Sequence, residues 1–390
     1  MNYNVAILGS TGSIGYSTLL SLKNRKNFKI ELLTTKSNAN KILKQALKFK
    51  VKNVIISDKK KYLKYKDIFK EKKINLYFGL ENIQNIVKKK ITYTINAITG
   101  IDGLEPTLQI IPFSKNILIA NKESIICGWE IIQKKLNKHK TKFIPIDSEH
   151  FSIWKLIETE KNDMIEKVIL TASGGPFLNK SKKKIKNINP KYALNHPNWK
   201  MGKKISIDSS TMMNKVLEYI EAKKIFNLDN KNISILIHPT SFVHAIVFFK
   251  GNIIKLLAHD TKMTIPIANA LGIRDKLPNN IIKYNLEKLN NLKFYIPKDK
   301  QFPILSILKM LPKSASYFET ILITINDLLV NKYLKGSINY VSIQRNLINI
   351  IKSPYFKKYY KLKPKNIYDI KKMRTLTKKY LNSKLKYYYD

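Results

Sequence analysis

The chain has 390 residues, of which 44% are hydrophobic, and a formal net charge of +45 at pH 7. This length and apolar content predict a globular protein of two or three domains. No run of eighteen apolar residues occurs and the first residues enter a strand pattern directly, so we expect a cytoplasmic protein without a membrane span or signal peptide. The single cysteine, Cys127, excludes a disulfide framework and a cysteine metal cluster.

A charge this positive would suit a nucleic-acid-binding protein, but the residues that carry it do not favour that function. Only four of the 72 basic residues are arginine, the side chain best suited to bidentate phosphate and base contacts. The lysines are spread along the chain rather than gathered in one segment. We therefore expect weak, salt-dependent attraction of anions, including anionic substrates, and no specific nucleic-acid partner.

The N-terminal segment has the pattern of a dinucleotide-binding domain. The buried-strand run Val5–Leu8 leads into Gly9-Ser-Thr-Gly-Ser-Ile-Gly15, and a helix pattern follows to about Lys23. Glycines at such a turn let the backbone approach a pyrophosphate, and the helix start offers free N–H groups. The spacing is G-x-x-G-x-x-G rather than G-x-G-x-x-G, so a tight turn without a ligand remains the alternative.

The end of the second strand, Phe28–Leu33, indicates which nucleotide is bound. A free ribose 2′-hydroxyl usually pairs with an acidic residue there, but this chain has Thr34-Thr-Lys-Ser-Asn38. Lys36 and Ser37 suit a 2′-phosphate, which favours NADP over NAD. Helix and strand patterns then alternate to Ala120, as in a doubly wound, Rossmann-like parallel sheet.

A lysine and a pair of carboxylates follow later strands, at the edge where open α/β sheets place their ligands. Lys122 follows one strand pattern, and Asp147 and Glu149 follow the strand pattern Phe143–Ile146. Two carboxylates that are two positions apart in extended chain lie on one side, and they suit Mg²⁺ or Mn²⁺. The alternatives are a solvated surface charge for Lys122 and a helix N-cap at Asp147 or Ser148.

The region after residue 150 carries two loop motifs. The strand Val168–Ala172 runs into Ser173-Gly-Gly-Pro-Phe177, a turn whose N–H groups and serine hydroxyl suit a small anion, with a plain loop as the alternative. The segment His196–Gly202 has no helical or strand periodicity and displays Trp199 and Met201, which predicts a mobile lid at about residues 196–203. A tryptophan packed on the core beside a capping histidine is the alternative.

The segment Ile205–Ala222 is the densest candidate site. Asp208 to Thr211 offer several N-caps for the helix that follows. That helix places Asn214 four residues and Lys215 three residues before Glu218, on one face. The arrangement suits a phosphate at the helix start and a metal ligand one turn later, and a solvated Lys–Glu pair is the alternative.

Together with Ile237–Ser241 and His244, these motifs stand in the order and spacing of 1-deoxy-D-xylulose 5-phosphate reductoisomerases, which the chain resembles from residue 4 to about 270. The resemblance implies a divalent cation (Mg²⁺, Mn²⁺ or Co²⁺) on Asp147, Glu149 and Glu218. It implies a phosphorylated sugar bound by Ser173, Ser209, Asn214 and Lys215 at its phosphate, and by Lys122, Ser148, Glu149, His196 and Glu218 elsewhere. NADPH would contact Thr11, Gly12, Ser13, Ile14, Lys36, Ser37, Asn38, Asn121, Glu123 and Gly202.

The activity implied by the resemblance is the rearrangement and reduction of 1-deoxy-D-xylulose 5-phosphate to 2-C-methyl-D-erythritol 4-phosphate, a step of isoprenoid precursor synthesis. Glu149 would accept a proton beside the metal, Lys122 would assist electrostatically, and His196 and Trp199 would exclude water. The alternative function is that of another NADP-dependent oxidoreductase of similar layout, such as a semialdehyde or homoserine dehydrogenase.

Three domains and a linker are predicted. They are an NADP-binding domain (1–147), an α+β catalytic, metal-binding and dimerisation domain (148–275), a linker (276–300) and a C-terminal helical bundle (301–390). The resemblance implies a homodimer formed through the central domain. In the C-terminal region, Ile321–Asp327 departs from the small-residue pattern of the family, which predicts a change in helix packing there.

Overall fold

A computed structural model describes residues 2–180, 185–273 and 286–384 of the chain. These residues form two compact units rather than the three domains predicted. The first unit comprises residues 2–125, 129–151 and 262–273, and the second comprises the rest. The predicted central and C-terminal parts therefore belong to one unit, and most of the predicted linker lies outside the described residues.

The strands fall into two sheets. The first sheet contains Tyr3–Leu8 (β1), Phe28–Thr35 (β2), Asn53–Ile56 (β3), Asn75–Phe78 (β4), Ile91–Asn96 (β5), Ser114–Ile119 (β6) and Lys142–Pro145 (β7). The second sheet contains Ile165–Ala172 (β8), Ile233–Ile237 (β9), Val243–Phe249 (β10) and Ile253–Ala258 (β11).

The described helices lie on both sheets and in the C-terminal region. They are Ser13–Ser21 (α1), Ala39–Lys48 (α2), Lys59–Glu71 (α3), Ile83–Ile86 (α4), Leu104–Ile110 (α5), Lys122–His139 (α6), Ser148–Leu156 (α7), Pro190–Ala193 (α8), Lys203–Ser210 (α9), Met213–Ile225 (α10), Thr264–Ala270 (α11), Leu286–Asn290 (α12), Phe318–Leu334 (α13), Tyr340–Ile351 (α14), Pro354–Lys357 (α15) and Ile367–Lys384 (α16). None of these helices is both long enough and apolar enough to cross a lipid bilayer.

The first sheet is parallel throughout, in the order β4-β3-β2-β1-β5-β6-β7. The central strand β1 ends in a continuous apolar run because helices cover both faces of the sheet, and the four residues from Val5 to Leu8 are all fully buried. The order reverses direction at β1, so the turns after β1 and β5 open side by side at the carboxyl edge, where such sheets bind ligands. The predicted doubly wound sheet is confirmed.

The first unit is completed by a segment from far along the chain. Helix α11 packs against α1, and Ser21 Oγ donates a hydrogen bond to the carbonyl of Thr264 at 3.4 Å. Ile267 and Ala268 are fully buried. Residues 262–273 thus belong to the unit that holds the N-terminal sheet, whereas the sequence assigned them to the second domain.

The second unit combines a mixed sheet with the C-terminal helices. Its strands run in the order β11-β10-β8-β9, with β8 and β9 parallel and the other two pairs antiparallel. Helix α13 begins with a capping box, in which Glu319 accepts hydrogen bonds from the backbone and the hydroxyl of Ser316. Glu319 also pairs with Lys224 of α10 at 2.8 Å, so the C-terminal helices are tied to the helix beneath the sheet.

Candidate active site

The glycine turn after β1 has the geometry of a nucleotide cradle. Gly9 has a φ of +79°, and a Cβ there would lie 2.9 Å from the Ala97 carbonyl oxygen. A Cβ on Gly15 would lie 2.5 Å from the Cα of Ser10, so α1 can approach the turn only with glycine here. A Cβ on Gly12 would meet no described atom closer than 3.5 Å. Packing within the described residues therefore does not require glycine at residue 12. A ligand that lies close to the protein backbone at this turn would require it.

The end of β2 gathers basic and polar groups beside this turn. Lys36, Ser37 and Asn38 are exposed, and Asn38 caps α2 by accepting a hydrogen bond from the N–H of Lys41 at 3.3 Å. The Lys41 ammonium donates to the Thr11 carbonyl at 2.7 Å. The sequence analysis missed Lys41, although its position three residues after a helix N-cap could have indicated that it faces the preceding turn.

Asn121 uses its whole side chain within the protein. Its Oδ1 accepts a hydrogen bond from the N–H of Ser124 at 2.7 Å, and its amide donates to the carbonyls of Ile98 and Gly100. The side chain is buried. The predicted NADPH contact at this residue would consequently have to come from its backbone.

Asp147 and Glu149 lie where β7 gives way to α7. The Lys122 ammonium is 2.5 Å from Asp147 Oδ2, and His150 Nδ1 is 3.1 Å from the same oxygen. The Ser148 hydroxyl donates to Glu149 Oε2 at 2.5 Å. Burial raises the pKa of Asp147, but the charge of Lys122 and the hydrogen bond from His150 outweigh it and hold that pKa well below its usual range.

These donors fit a hard divalent cation. Asp147 is an ionised carboxylate with a cationic partner, and Glu149 offers a second carboxylate on the first turn of α7. Oxygen ligands of this kind are what Mg²⁺ and Mn²⁺ prefer. In this structure the Lys122 ammonium provides at Asp147 the positive charge that a cation would provide.

The turn after β8 and the histidine of the predicted lid share a hydrogen-bond network. His196 Nδ1 accepts from the N–H groups of Asn198 and Trp199 at 3.1 and 3.0 Å, so its ring proton is assigned to Nε2, which lies 3.0 Å from Ser173 Oγ. Burial lowers the pKa of His196 to about 4, so the ring is neutral at pH 7. Ser173 Oγ also accepts from the N–H of Gly175 at 3.0 Å, which leaves its own proton for another acceptor.

The same turn lies against the end of α9. Gly175 has a φ of +70°, and a Cβ there would lie 2.9 Å from the Cα of Ser210 and 3.2 Å from the carbonyl oxygen of Ser209. Ser173 in the turn and Ser209 in α9 are half-buried, whereas their immediate neighbours in sequence are buried. The structure therefore places the turn that begins at Ser173 against the end of α9, which carries Ser209.

The predicted N-cap at Asp208 to Thr211 is wrong. Asp208 to Ser210 form the last turn of α9, and the N-cap of α10 is Met212, whose left-handed φ of +66° turns the chain between the two helices. Met212 makes no side-chain cap, so the polar residues do not perform the role the sequence suggested. The buried side chain of Asp208 has partners elsewhere, which hold it in α9.

The predicted shared face of α10 is confirmed. Asn214 Nδ2 donates to Glu218 Oε1 at 2.5 Å, and Lys215 forms an ion pair with the other oxygen of Glu218. Lys215 is 3% exposed and Glu218 is 1% exposed, so they are not the solvated pair that was the alternative. A buried lysine and carboxylate at a helix start are suited to binding charged ligands.

The lid segment is docked in this structure by a residue that the sequence analysis missed. Asn198 Nδ2 donates to the Pro239 carbonyl at 2.6 Å and to Ser241 Oγ at 3.0 Å. The Asn198 carbonyl accepts from Thr261 Oγ1 at 2.8 Å. The half-buried Trp199 lies edge-on to His244, with ring centroids 6.0 Å apart. Nothing in the local sequence distinguishes Asn198 from an ordinary turn residue.

Comparison with known proteins identifies the family. The model of 1-deoxy-D-xylulose 5-phosphate reductoisomerase matches residues 5–128, and the models of two C-terminal domains of this enzyme match residues 143–226 and 259–380. The reductoisomerase of Pelagibacter ubique is 50% identical over 372 residues, 95% of this chain and 96% of the relative. This chain belongs to the 1-deoxy-D-xylulose 5-phosphate reductoisomerase family.

Other reductoisomerases agree along nearly the full length. The enzyme of the Wolbachia strain wPip is 38% identical over 90% of this chain and 89% of its own. A crystal structure of a reductoisomerase with NADPH, fosmidomycin and magnesium is 32% identical, covers 98% of both chains and superposes with a TM-score of 0.90. The Zymomonas mobilis reductoisomerase with NADPH is 28% identical, covers 97% of both chains and has a TM-score of 0.86.

These findings confirm the predicted family, fold class and activity. The reductoisomerase converts 1-deoxy-D-xylulose 5-phosphate to 2-C-methyl-D-erythritol 4-phosphate in an NADPH- and metal-dependent reaction. The alternative of a semialdehyde or homoserine dehydrogenase is therefore not retained. The roles of individual residues remain predictions.

Proposed function

We propose that Asp147, Glu149 and Glu218 hold the divalent cation of this reductoisomerase, with Mg²⁺ as its ion and Mn²⁺ or Co²⁺ as substitutes. The observation that carries the proposal is the position of Asp147 and Glu149 at the start of α7, with the Lys122 ammonium 2.5 Å from Asp147 Oδ2. When bound, the cation polarises the ketone and the neighbouring hydroxyl of the sugar. The cation carries its own positive charge to the site, so the Lys122 ammonium is then available to interact with a substrate oxygen.

The phosphate of the substrate is bound by Ser173, Ser209, Asn214 and Lys215. Ser173 has a hydroxyl proton to donate, because its oxygen already accepts from Gly175 and His196. Lys215 supplies a buried positive charge on the first turn of α10. Binding at this place anchors the substrate by a group that takes no part in the chemistry.

The sugar part of the substrate meets four residues with different functions. Glu149 accepts a proton from a substrate hydroxyl, and Lys122 stabilises negative charge on a substrate oxygen. Ser148 contacts the sugar through its hydroxyl, and the neutral His196 contacts it through its ring while its Nε2 proton is donated to Ser173 Oγ. Trp199 and Met201 cover the substrate and exclude water while the carbon skeleton rearranges.

NADPH lies on the turn formed by Thr11, Gly12, Ser13 and Ile14, and supplies the hydride that reduces the aldehyde formed by the rearrangement. Lys36, Ser37 and Asn38 bind the 2′-phosphate, and Lys41 adds a further positive charge beside Thr11. The backbone of Asn121 lies near the nicotinamide half, as do Glu123 and Gly202. No close atom surrounds a Cβ built on Gly202, which leaves room for a ligand there.

The functional unit is a homodimer in the cytoplasm, without a specific nucleic-acid or membrane partner. The support for a dimer is the edge strand β11, where Ile253, Ile254 and Leu256 are 55%, 57% and 43% exposed. An exposed apolar edge strand favours pairing with another chain. A second copy would cover this edge.

The metal proposal is tested by replacing two of the three carboxylates, Asp147 and Glu218, with the corresponding amides. We expect Asp147→Asn and Glu218→Gln to weaken Mg²⁺ activation of NADPH oxidation at least tenfold, because one charged ligand of a hard cation is lost. Binding of NADPH, followed by its fluorescence, should change less than twofold. An unchanged Mg²⁺ titration in either variant would remove that residue from the ligand set. The exposed pair Lys309–Asp299 offers the control Asp299→Asn, for which no effect on metal activation is expected.

A further inference from the structure

Asp208 is a buried carboxylate beside the proposed phosphate site that the reaction itself does not use. It precedes Ser209 on the last turn of α9, and its side chain is 3% exposed. Asn326 Nδ2 donates to Asp208 Oδ1 at 2.7 Å, and the Lys204 ammonium is 3.3 Å from Oδ2. Lys204 is also 3.0 Å from Oδ1 of Asp327. Both oxygens of Asp208 therefore have donors, and two of the four residues of this cluster come from α13.

The direction of the Asn326 bond is fixed by chemistry. An ionised carboxylate can only accept, so the amide of Asn326 has to present its NH₂ group to Asp208. The Oδ1 of Asn326 accepts no hydrogen bond within the described residues, although the residue is 1% exposed. Leaving a buried acceptor without a hydrogen bond costs free energy. At Asn326 Oδ1 this cost is accepted because the amide group of the same side chain donates to Asp208.

A second contact from the C-terminal helices is made with the turn that packs against the end of α9. Tyr340 of α14 is 1% exposed and lies edge-on to Phe177 with ring centroids 5.1 Å apart. Phe177 ends the turn that begins at Ser173, and Ser210 ends α9. The C-terminal helices thus contact both the turn that carries Gly175 and helix α9.

We propose that Asn326, supported by Lys204 and Asp327, is a positioning residue for the substrate phosphate, an inference that rests on the phosphate site proposed above. The Asn326–Asp208 bond fixes the end of α9, so that Ser209 stays against the turn that carries Ser173. It also holds the negative charge of Asp208 on the side of α13, away from the phosphate. Without this bond, Asp208 would lose the donor at Oδ1 and keep the ion pair with Lys204 at Oδ2, so the end of α9 could move and the carboxylate could turn towards the anion and repel it.

The test compares two variants of α13. Asn326→Leu removes the donor at similar volume, and Thr324→Val is the matched control. Thr324 is equally buried, but among the described residues its hydroxyl bonds only to the carbonyl of Thr320 in its own helix. The measurements are the inhibition constant of inorganic phosphate, KM for the sugar phosphate, the dissociation constant of NADPH and the thermal midpoint. We expect Asn326→Leu to raise the inhibition constant and the sugar KM about tenfold, with NADPH binding unchanged. Thr324→Val should lower the midpoint alone.

Rescue separates positioning from general stability. In the double variant Asp208→Asn with Asn326→Leu, the negative charge of residue 208 is gone, so phosphate affinity should recover most of the loss. If Asn326→Leu does not fold, Asp327→Asn takes its place, and we expect about a threefold loss of phosphate affinity from a loosened Lys204. The inference is overturned if the folded α13 variant leaves phosphate affinity unchanged while Ser209→Ala weakens it. If Ser209→Ala also has no effect, the proposed phosphate site itself is wrong.

Discussion

His196 shows how a local hydrogen-bond pattern fixes the chemistry of one residue. Two backbone N–H groups point at its Nδ1, and burial lowers its pKa to about 4 from the usual 6.5. An imidazole in this state donates from Nε2 and does not act as a base near neutral pH. We therefore assign it to substrate binding and water exclusion, and leave proton transfer to Glu149.

The depressed pKa of His196 predicts a pH-dependent contribution to stability. The unfolded chain binds a proton at this residue below pH 6.5 and the folded chain only below about 4, so stability present above pH 6.5 is lost as the pH falls. At pH 5 the loss amounts to about 2 kcal/mol. In His196→Asn, whose Oδ1 can accept the same two N–H groups, this loss should be absent.

Urea unfolding of both proteins at pH 8 and pH 5 measures the difference. We expect the free energy of unfolding to fall by about 2 kcal/mol more in the wild type than in His196→Asn. Equal losses in the two proteins would show that the folded His196 titrates normally. His238, whose pKa is also lowered by burial, is unchanged in both and cancels in the comparison.

Sequence reasoning at this scale selects residues by type, where residue type alone determines the chemistry. Asp147, Lys215 and Glu218 were selected as charged residues in a motif, and the structure gives Asp147 an ion-pair partner in Lys122 and pairs Lys215 with Glu218. Sequence reasoning could not show that the side chain of Asn121 is used within the protein, because a side chain that caps a helix and binds two carbonyls cannot be told from a ligand contact without coordinates. Lys41 and Asn198 were missed because their contacts with other segments likewise cannot be seen without coordinates.

The turn that carries Ser173 depends on a glycine with two separate requirements. Gly175 has a left-handed φ and also lies in contact with the backbone of Ser209 and Ser210. We expect Gly175→Ala to destabilise the protein by about 1 kcal/mol for the left-handed φ and by a further 1–3 kcal/mol for the steric overlap. Because the overlap pushes the turn away from Ser209, phosphate affinity should fall as well.

Gly336 supplies the control for this substitution. It follows α13 with a φ of +75°, and a Cβ built on it meets no described atom within 4 Å. Gly336→Ala should therefore lower stability by about 1 kcal/mol and leave phosphate inhibition unchanged. If the two variants lose the same stability and bind phosphate alike, the contact between the turn and α9 has no energetic importance.

The elements of the fold were largely predictable, and their junctions were not. Strands such as Asn53–Ile56 and helices such as Lys59–Glu71 follow from apolar periodicity and from the turn residues that bound each segment, because these are local properties. The break between α9 and α10 was placed wrongly, because Asp208 is held in α9 by Asn326, which is 118 residues away in sequence. No local pattern reports such a partner.

On the scale of the whole molecule, the assembly prediction rests on strand β11. We expect Ile254→Lys to dissociate the homodimer, because a charge would have to be buried where two copies meet. Sedimentation velocity at micromolar concentration should then show a monomer. Ile296→Lys is the control, since Ile296 is 80% exposed but adjoins Tyr295, which pairs with β9 at the opposite edge of the sheet. A dimer that survives Ile254→Lys and dissociates with Ile296→Lys would place the interface at the other edge.

The sequence could not show that residues 262–273 return to the first unit. Their pattern predicts a short helix equally well in either unit, and only burial of Ile267 against α1 decides between them. Likewise, the helices after residue 300 were expected to form a separate bundle, yet ion pairs such as Lys224–Glu319 tie them to the mixed sheet and its helices.

The return of α11 has a consequence for how the polypeptide is made. The N-terminal sheet emerges first from the ribosome, but the helix that covers α1 follows only after some 240 further residues, as the bond from Ser21 to Thr264 spans 243 positions. Until then the side of α1 that α11 covers is exposed, and a translation product stopped near residue 150 would expose it permanently. Such a truncated fragment should bind chaperones and precipitate, whereas a fragment ending beyond residue 273 and carrying both segments has the means to complete its N-terminal half.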